Sequence, residues 1–425
     1  MEQFIRALLA AIETCASKPL WPGFDPLAMP VAIFDGDRTW LIGHPAPPSE
    51  FSSSGIPEVM SVEGQHPSVH SNTAASLGGV LTATAVLPST DRPVEEWAPL
   101  VIHEAFHVYQ RLHHPEWSAN EVHLLSYPED DVAILSLALL EIRSLSRALA
   151  CSKDYEAARW AATAVVIRHR KNALLPANAA AYEQATETHE GLARYVEFQA
   201  RANSHAASQN PPEPDGANVR DRCYWTGWAI ATLLDRFSVN WSATFNDAGD
   251  VSLHTMLARA MTQLGAVPED VPTAEEQEAA AKAARFVARR RAQREEQRRA
   301  FLGRSGWAVT VDASDAQPMA MEMFDPMNLH VLGKGEVLHT RLLTVSHPAI
   351  RLAITGTWAL TRSNGTSPIT DGICHLMITG LQHAPVTIGS GDEVRLNAQG
   401  LDAHILSSVL NGAPGAPVLR IEHCP

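Results

Sequence analysis

The chain has 425 residues, enough for two or three domains with cores of their own, and its 45% hydrophobic and 19% charged content is that of an ordinary globular protein. A formal net charge of −14 excludes a general nucleic-acid binder and a protein drawn to anionic membrane surfaces. Five scattered cysteines, with no C-x-x-C pair, exclude a disulfide framework and a cysteine zinc site, and predict free thiols in a reducing, cytoplasmic setting.

In chain order, residues 1–16 predict a short amphipathic helix, because Glu2 and Glu13 bracket its apolar patch and argue against a signal peptide. Prolines 19, 22 and 26 then break the chain. Residues 30–34 and 39–42 predict strands of a hairpin around Asp35-Gly36-Asp37, residues 59–62 a short strand, and Gly78–Leu87 a longer one rich in Thr and Val. A small mixed or antiparallel sheet thus precedes a helical region. Helices are predicted at 132–150, 155–170, 176–202, 220–237 and 253–264 from apolar residues at helical spacing. Residues 273–301 are Ala-rich with dense Glu and Arg, and read as a solvated helix or strut whose arginines form an exposed face. Beyond residue 302, short alternating runs separated by turn residues predict a β-sandwich or barrel. No catalytic motif stands out there; Met319-Ala320-Met321-Glu322-Met323 is only faintly like a substrate-binding strand and lies on the wrong side of the motif described next.

That motif is His103-Glu104-Ala105-Phe106-His107, H-E-x-x-H inside an apolar helical run. Residues four apart share a helix face, so both imidazoles can reach one ion, and Zn²⁺ accepts such nitrogens at about 2.0–2.1 Å. Glu104 then lies beside the metal-bound water, placed to take its proton. Leu100, Ile102 and Phe106 suit a buried helix, and Pro99 just ahead of them suits a helix start. A third ligand is still needed. His113 completes H-E-x-x-H-x-x-G-x-x-H at its ligand positions, but Gln110 stands where glycine would let the chain turn back, so the helix is expected to continue to Leu112 and carry His113 off the metal face.

The competing candidate is Glu190, in Glu187-Thr188-His189-Glu190-Gly191-Leu192-Ala193-Arg194-Tyr195. Here the chain resembles the gluzincin metallopeptidases, the group that includes thermolysin and aminopeptidase N-type enzymes, in which a second helix supplies a glutamate from a segment like N-E-G-x-A. The resemblance implies that Glu190 is the third ligand, with Gly191 letting its helix approach the first closely. Glu183 and Glu187 are fallback ligands on nearby faces. Arg194 stands where some relatives carry an acidic residue that orients the first histidine, so that support must come from elsewhere. Tyr224, in Tyr224-Trp225-Thr226-Gly227, matches the tyrosine that faces the scissile carbonyl in aminopeptidase N-type enzymes, with Tyr195 in reserve. The strand at 79–87 corresponds to the edge strand that holds an extended peptide in that group.

The expectation is therefore an α+β protein. Residues 1–272 form a mainly helical, gluzincin-like catalytic domain with its sheet at about 30–90 and its helices at 93–265. Residues 273–302 form a charged helical linker, and residues 303–425 an all-β domain. The expected activity is zinc-dependent hydrolysis of peptide bonds, with one Zn²⁺ per chain on His103, His107 and Glu190, Glu104 as base and Tyr224 as oxyanion donor. Peptides or small proteins are the expected partners, with neither nucleic acid nor membrane. An inactive peptidase-like binding protein and a zinc hydrolase of a non-peptide substrate are the alternatives.

Overall fold

In the computed structural model, residues 2–87, 93–204, 210–248, 251–325, 328–389, 392–406, 409 and 416–424 are described. The chain divides into two compact units, residues 1–120 with 131–283, and residues 121–130 with 284–425. One boundary, between residues 283 and 284, falls inside the helix from Thr273 to Leu302, the segment expected as a charged helical linker.

The first unit opens with α1 (Glu2–Cys15), whose Ile5, Leu8 and Ile12 are buried at the three- and four-residue spacing of one helix face. Six strands follow: β1 (Val31–Phe34), β2 (Arg38–Ile42), β3 (Ser52–Ser53), β4 (Val59–Glu63), β5 (Thr73–Leu77) and β6 (Val80–Val86). They form one mixed sheet in the order β3-β4-β2-β1-β6-β5, with β1 and β6 parallel and the remaining pairs antiparallel. The strand expected at 78–87 begins at Val80 because Gly78 and Gly79 both take positive φ and turn the chain back from β5. That turn has a consequence: β6 lies between β1 and β5, so it is not an edge strand. The edge beside it is β5, a strand that its small residues Ala74, Ala75 and Ser76 kept from view.

The helices are α2 (Val94–His113), α3 (Val132–Ala150), α4 (Asp154–Asn172), α5 (Ala177–Thr186), α6 (Leu192–Asn203), α7 (Val219–Phe237), α8 (Trp241–Ala248), α9 (Leu253–Gln263) and α10 (Thr273–Leu302). The single helix expected over 176–202 is broken by a π-helical turn at Glu187–Gly191. Pro99 lies within α2 and not ahead of it; the helix starts at Val94, and the proline forfeits one backbone bond in its second turn. Ile102, Phe106, Val196, Ala229 and Ile230 meet Trp21 and Trp228 in the core of this unit.

The second unit pairs the end of α10 with strands β7 (Gly306–Asp312), β8 (Ala320–Phe324), β9 (Leu329–Gly333), β10 (Glu336–His339), β11 (Leu342–His347), β12 (Ile350–Thr355), β13 (Ala359–Arg362), β14 (His375–Leu381), β15 (Val386–Ile388), β16 (Glu393–Ala398), β17 (Leu401–Leu406) and β18 (Val418–Cys424). They form two antiparallel sheets, β18-β7-β14-β13-β10-β9 and β15-β16-β17-β12-β11-β8. Val309, Val311 and Ile378 of one sheet meet Leu343, Leu352, Leu396 and Ile405 of the other, the alternation of a sandwich. The fold is α+β with a C-terminal β domain. All five cysteines are free, and no described helix is long and apolar enough to cross a membrane.

Candidate metal centre

Helix α2 buries four polar residues among its apolar ones: His103, Glu104, His107 and Gln110. Such groups are normally met by partners, and for His103, His107 and Gln110 these come from the π-turn and from α6. Nε2 of His103 and Nε2 of His107 lie 3.2 Å apart. Oε2 of Glu190 is 3.3 Å from the His107 nitrogen and 3.9 Å from the His103 nitrogen. Donor atoms about 2.0–2.1 Å from a tetrahedral ion stand roughly 3.3–3.4 Å from one another. The three atoms therefore fit one zinc-sized ion, and they form a buried group suited to holding a metal.

The tautomers agree with that fit. Nδ1 of His107 is 2.8 Å from Oε1 of Gln110, an acceptor, so the proton sits on Nδ1 and the Nε2 lone pair faces inward. Nδ1 of His103 has the Glu197 carboxylate 3.3 Å away, an ion-pair approach short of an aligned hydrogen bond. The inward lone pair of His107 and the Glu190 carboxylate oxygen, with Nε2 of His103 beside them, concentrate negative potential at a point where a cation would be stabilised. The electrostatics point the same way. Burial works against a charged His103, yet Glu197, Glu104 and Glu190 outweigh it and raise its pKa. Burial likewise opposes ionisation of Glu190, but the His107 ring beside it prevails and holds its carboxyl well below the usual range. Glu104 behaves differently. Burial, its largest influence, raises its pKa, and no described residue donates a hydrogen bond to its carboxylate.

The π-turn presents Glu190. A π-turn misaligns the backbone ladder, and the Gln110 side-chain amide donates to two of its carbonyls, Thr188 at 3.2 Å and His189 at 2.9 Å. Gly191 does not serve the approach to the metal helix as expected. It meets α7, where a Cβ on Gly191 would stand 2.6 Å from the Gly227 Cα, and one on Gly227 2.5 Å from the Glu187 carbonyl oxygen.

Nor do Glu183 and Glu187 reach the metal group. They belong to a buried ion network with Glu141, Arg168, Lys171 and Arg222, three carboxylates against three cations. Arg168 pairs with both Glu187 oxygens and, at 2.5 Å, with Glu141; Lys171 bridges Glu141 at 2.9 Å and Glu183 at 2.8 Å. Thr226 of α7 donates to Glu187 at 2.5 Å. Burial would raise the Glu183 carboxyl, but Lys171, Arg168 and Arg222 bring it down to about 2. The network thus fixes the π-turn to α3, α4 and α7.

Tyr224 is half-buried on α7 near Glu190; burial first and the Glu190 charge second push its pKa up. Arg220, one turn earlier, reaches both, with Nη2 3.2 Å from Oε1 of Glu190 and 3.3 Å from the Tyr224 hydroxyl. Tyr195 is turned elsewhere, its hydroxyl donating to Asp235 at 2.9 Å. His113 is exposed at the end of α2, against the Tyr109 ring. His189 was not singled out in the sequence, yet its ring packs 4.4 Å from that of His107, and burial lowers its pKa to about 3. Gln110, Glu197 and Arg220 were missed too. Spacing could have found two of them: Gln110 is three residues past His107 and Arg220 four before Tyr224, each on the face of the residue it supports, whereas Glu197 meets His103 only across from one helix to another. Comparison of the chain with protein-family models, with curated proteins and with solved structures gives no match.

Proposed function

We propose that the first unit is the catalytic domain of a zinc-dependent hydrolase, a peptidase of gluzincin type. The reading rests above all on the convergence of His103 Nε2, His107 Nε2 and Glu190 Oε2 beside a buried, undonated Glu104. These three residues would hold one Zn²⁺, which when bound polarises a carbonyl oxygen and acidifies water. Glu104 takes a proton from the attacking water and returns it to the departing amine. Burial raises its pKa, which strengthens it as a base for the water's proton. Gln110 and Glu197 keep the imidazoles turned inward. Tyr224 donates its hydroxyl to the oxyanion, and Arg220, in contact with that hydroxyl, keeps the side chain in place and adds positive charge there. The β5 edge, packed beside α2, offers main-chain groups to an extended peptide, in place of the interior β6.

The test is turnover of a mixed peptide library, with zinc measured in the same samples. Wild type should carry about one zinc per chain and cleave. Glu104→Gln should keep zinc and lose roughly 10²–10⁴-fold in rate, and Tyr224→Phe roughly 10²–10³-fold. Equal cleavage by wild type and Glu104→Gln would refute the mechanism. Zinc-loaded protein that binds peptides without cutting them is a binding protein, and cleavage confined to non-peptide amides or esters moves the substrate class.

A further inference from the structure

The second unit contains a separate constellation on the face of the β18-β7-β14-β13 strands. Asp312 ends β7 and His375 begins β14, and the two are directly opposed in the antiparallel register. Opposed residues project to the same side of a sheet, which brings Nδ1 of His375 to 3.4 Å from Oδ1 of Asp312. The chain turns just after Asp312, whose carboxylate accepts the Ser314 backbone N–H at 2.9 Å. That turn delivers the Ser314 hydroxyl to Nε2 of His375 at 2.8 Å. A carboxylate on one ring nitrogen and a serine hydroxyl on the other is the arrangement that activates a serine nucleophile. The Ser314 backbone bond also holds the Asp312 carboxyl below its usual range, so it is ionised at neutral pH.

Ser314 is exposed, and its two partners line a cavity beside it that offers a substrate a place. A cavity of about 230 Å³ is lined by Asp312 and His375 together with Arg362, Arg420, Leu360 and Met377. The register sets these out in two rows: Val418, Asp312, His375 and Arg362 in one, Arg420, Thr310, Met377 and Leu360 in the next. Leu360 and Met377 give an apolar floor and pack in one cluster with the buried Phe301 of α10. Arg362 is held by Glu336 at 2.9 Å; Arg420, on β18, brings the second positive charge to the rim.

We propose that Ser314, His375 and Asp312 form a second, metal-independent hydrolytic site, acting on small acyl esters that carry an anionic group. Ser314 Oγ bonds to the ester carbonyl carbon while its proton passes to Nε2 of His375. The bond to the leaving oxygen breaks as His375 returns that proton to it. Water then attacks the acyl-serine, its proton passing through His375 to Ser314 Oγ, and the acid departs. Asp312 keeps the proton of the neutral ring on Nδ1 and balances the imidazolium, and Arg420 attracts the anionic end of the substrate.

This site shares no residue with the metal centre, so it is tested in the full chain carrying Glu104→Gln, with chelator present. A fluorophosphonate probe should give one adduct, at Ser314, located by mass spectrometry. Hydrolysis of mono-p-nitrophenyl succinate should fall about 10²-fold in Ser314→Ala and in His375→Gln. Arg420→Gln should raise KM several-fold more for that ester than for p-nitrophenyl acetate. No adduct at Ser314, or turnover unaltered by Ser314→Ala, overturns the site. An equal effect of Arg420→Gln on both esters overturns the anionic substrate class.

Discussion

Oε1 of Gln110 accepts a hydrogen bond from Nδ1 of His107 at 2.8 Å, while the amide of the same side chain holds two carbonyls of the turn that carries Glu190. One residue thus orients a ligand on α2 and ties down the segment bearing another.

Replacing Gln110 with leucine keeps the volume and removes all three bonds. Zinc affinity should fall roughly 10–100-fold, the usual effect of losing the partner of a metal-bound histidine. Competition with a chelator of known affinity measures it. Unchanged affinity would mean that the ring is held by its packing alone.

The third ligand is tested by a pair of substitutions. Glu190→Ala should sharply lower zinc occupancy, since two imidazoles seldom retain the ion alone. His113→Ala should leave occupancy as it is, because His113 is exposed beyond the end of the ligand face. The opposite result, read by elemental analysis, would exchange their roles.

Gly227→Ala tests the helix crossing. A Cβ there would stand 2.5 Å from the Glu187 carbonyl oxygen, so backbone must move, at a cost of about 1–3 kcal/mol. The melting temperature should drop without zinc, and the gap should widen with zinc because the π-turn bearing Glu190 is displaced. A melting temperature equal to wild type in both states would show that α7 shifts freely.

The buried ion network predicts an acid limb. Glu183 titrates at about 2 in the folded chain against an ordinary 4.5. A carboxyl lowered on folding stabilises fully above its unfolded pKa, and the contribution fades as pH falls from about 4.5 to about 2. The difference corresponds to about 3 kcal/mol. Glu183→Gln should therefore be much less stable than wild type at pH 6, with the two converging near pH 2. Denaturant midpoints taken across that range check it, and a pH-independent gap would exclude the linkage.

Much of this molecule could be read from its residues. The π-turn, the sandwich and the α2 helix differ in how plainly they are written. H-E-x-x-H is local, so His103 and His107 share a face by helical geometry alone. The sandwich strands announce themselves by alternation, although 351–359 reads as one strand where Gly356 takes φ +68° and separates β12 from β13. Strand β5 was hidden because Thr73–Leu77 has little apolar contrast, and its presence turned the expected edge strand into an interior one. Glu197 and Gln110 were passed over because their value depends on what lies across from them. Ser314 and His375 are 61 residues apart and meet only through strand pairing, which no spacing rule reveals.

On an unbroken α-helix, each residue turns the chain by about 100°, so residues 183, 187, 190 and 197 would fall on a single stripe. In the structure the first two face the ion network and the last two the histidines. The π-turn is what divides them, by adding about one residue to a single turn. The centre is consequently governed by chain length as much as by residue identity. Removing one residue of 187–191 other than Glu190 would restore plain α-helix and swing everything downstream round by about a quarter turn. Many substitutions in that segment leave the ladder as it is, but a single-codon deletion would abolish the site while every ligand stayed in the sequence.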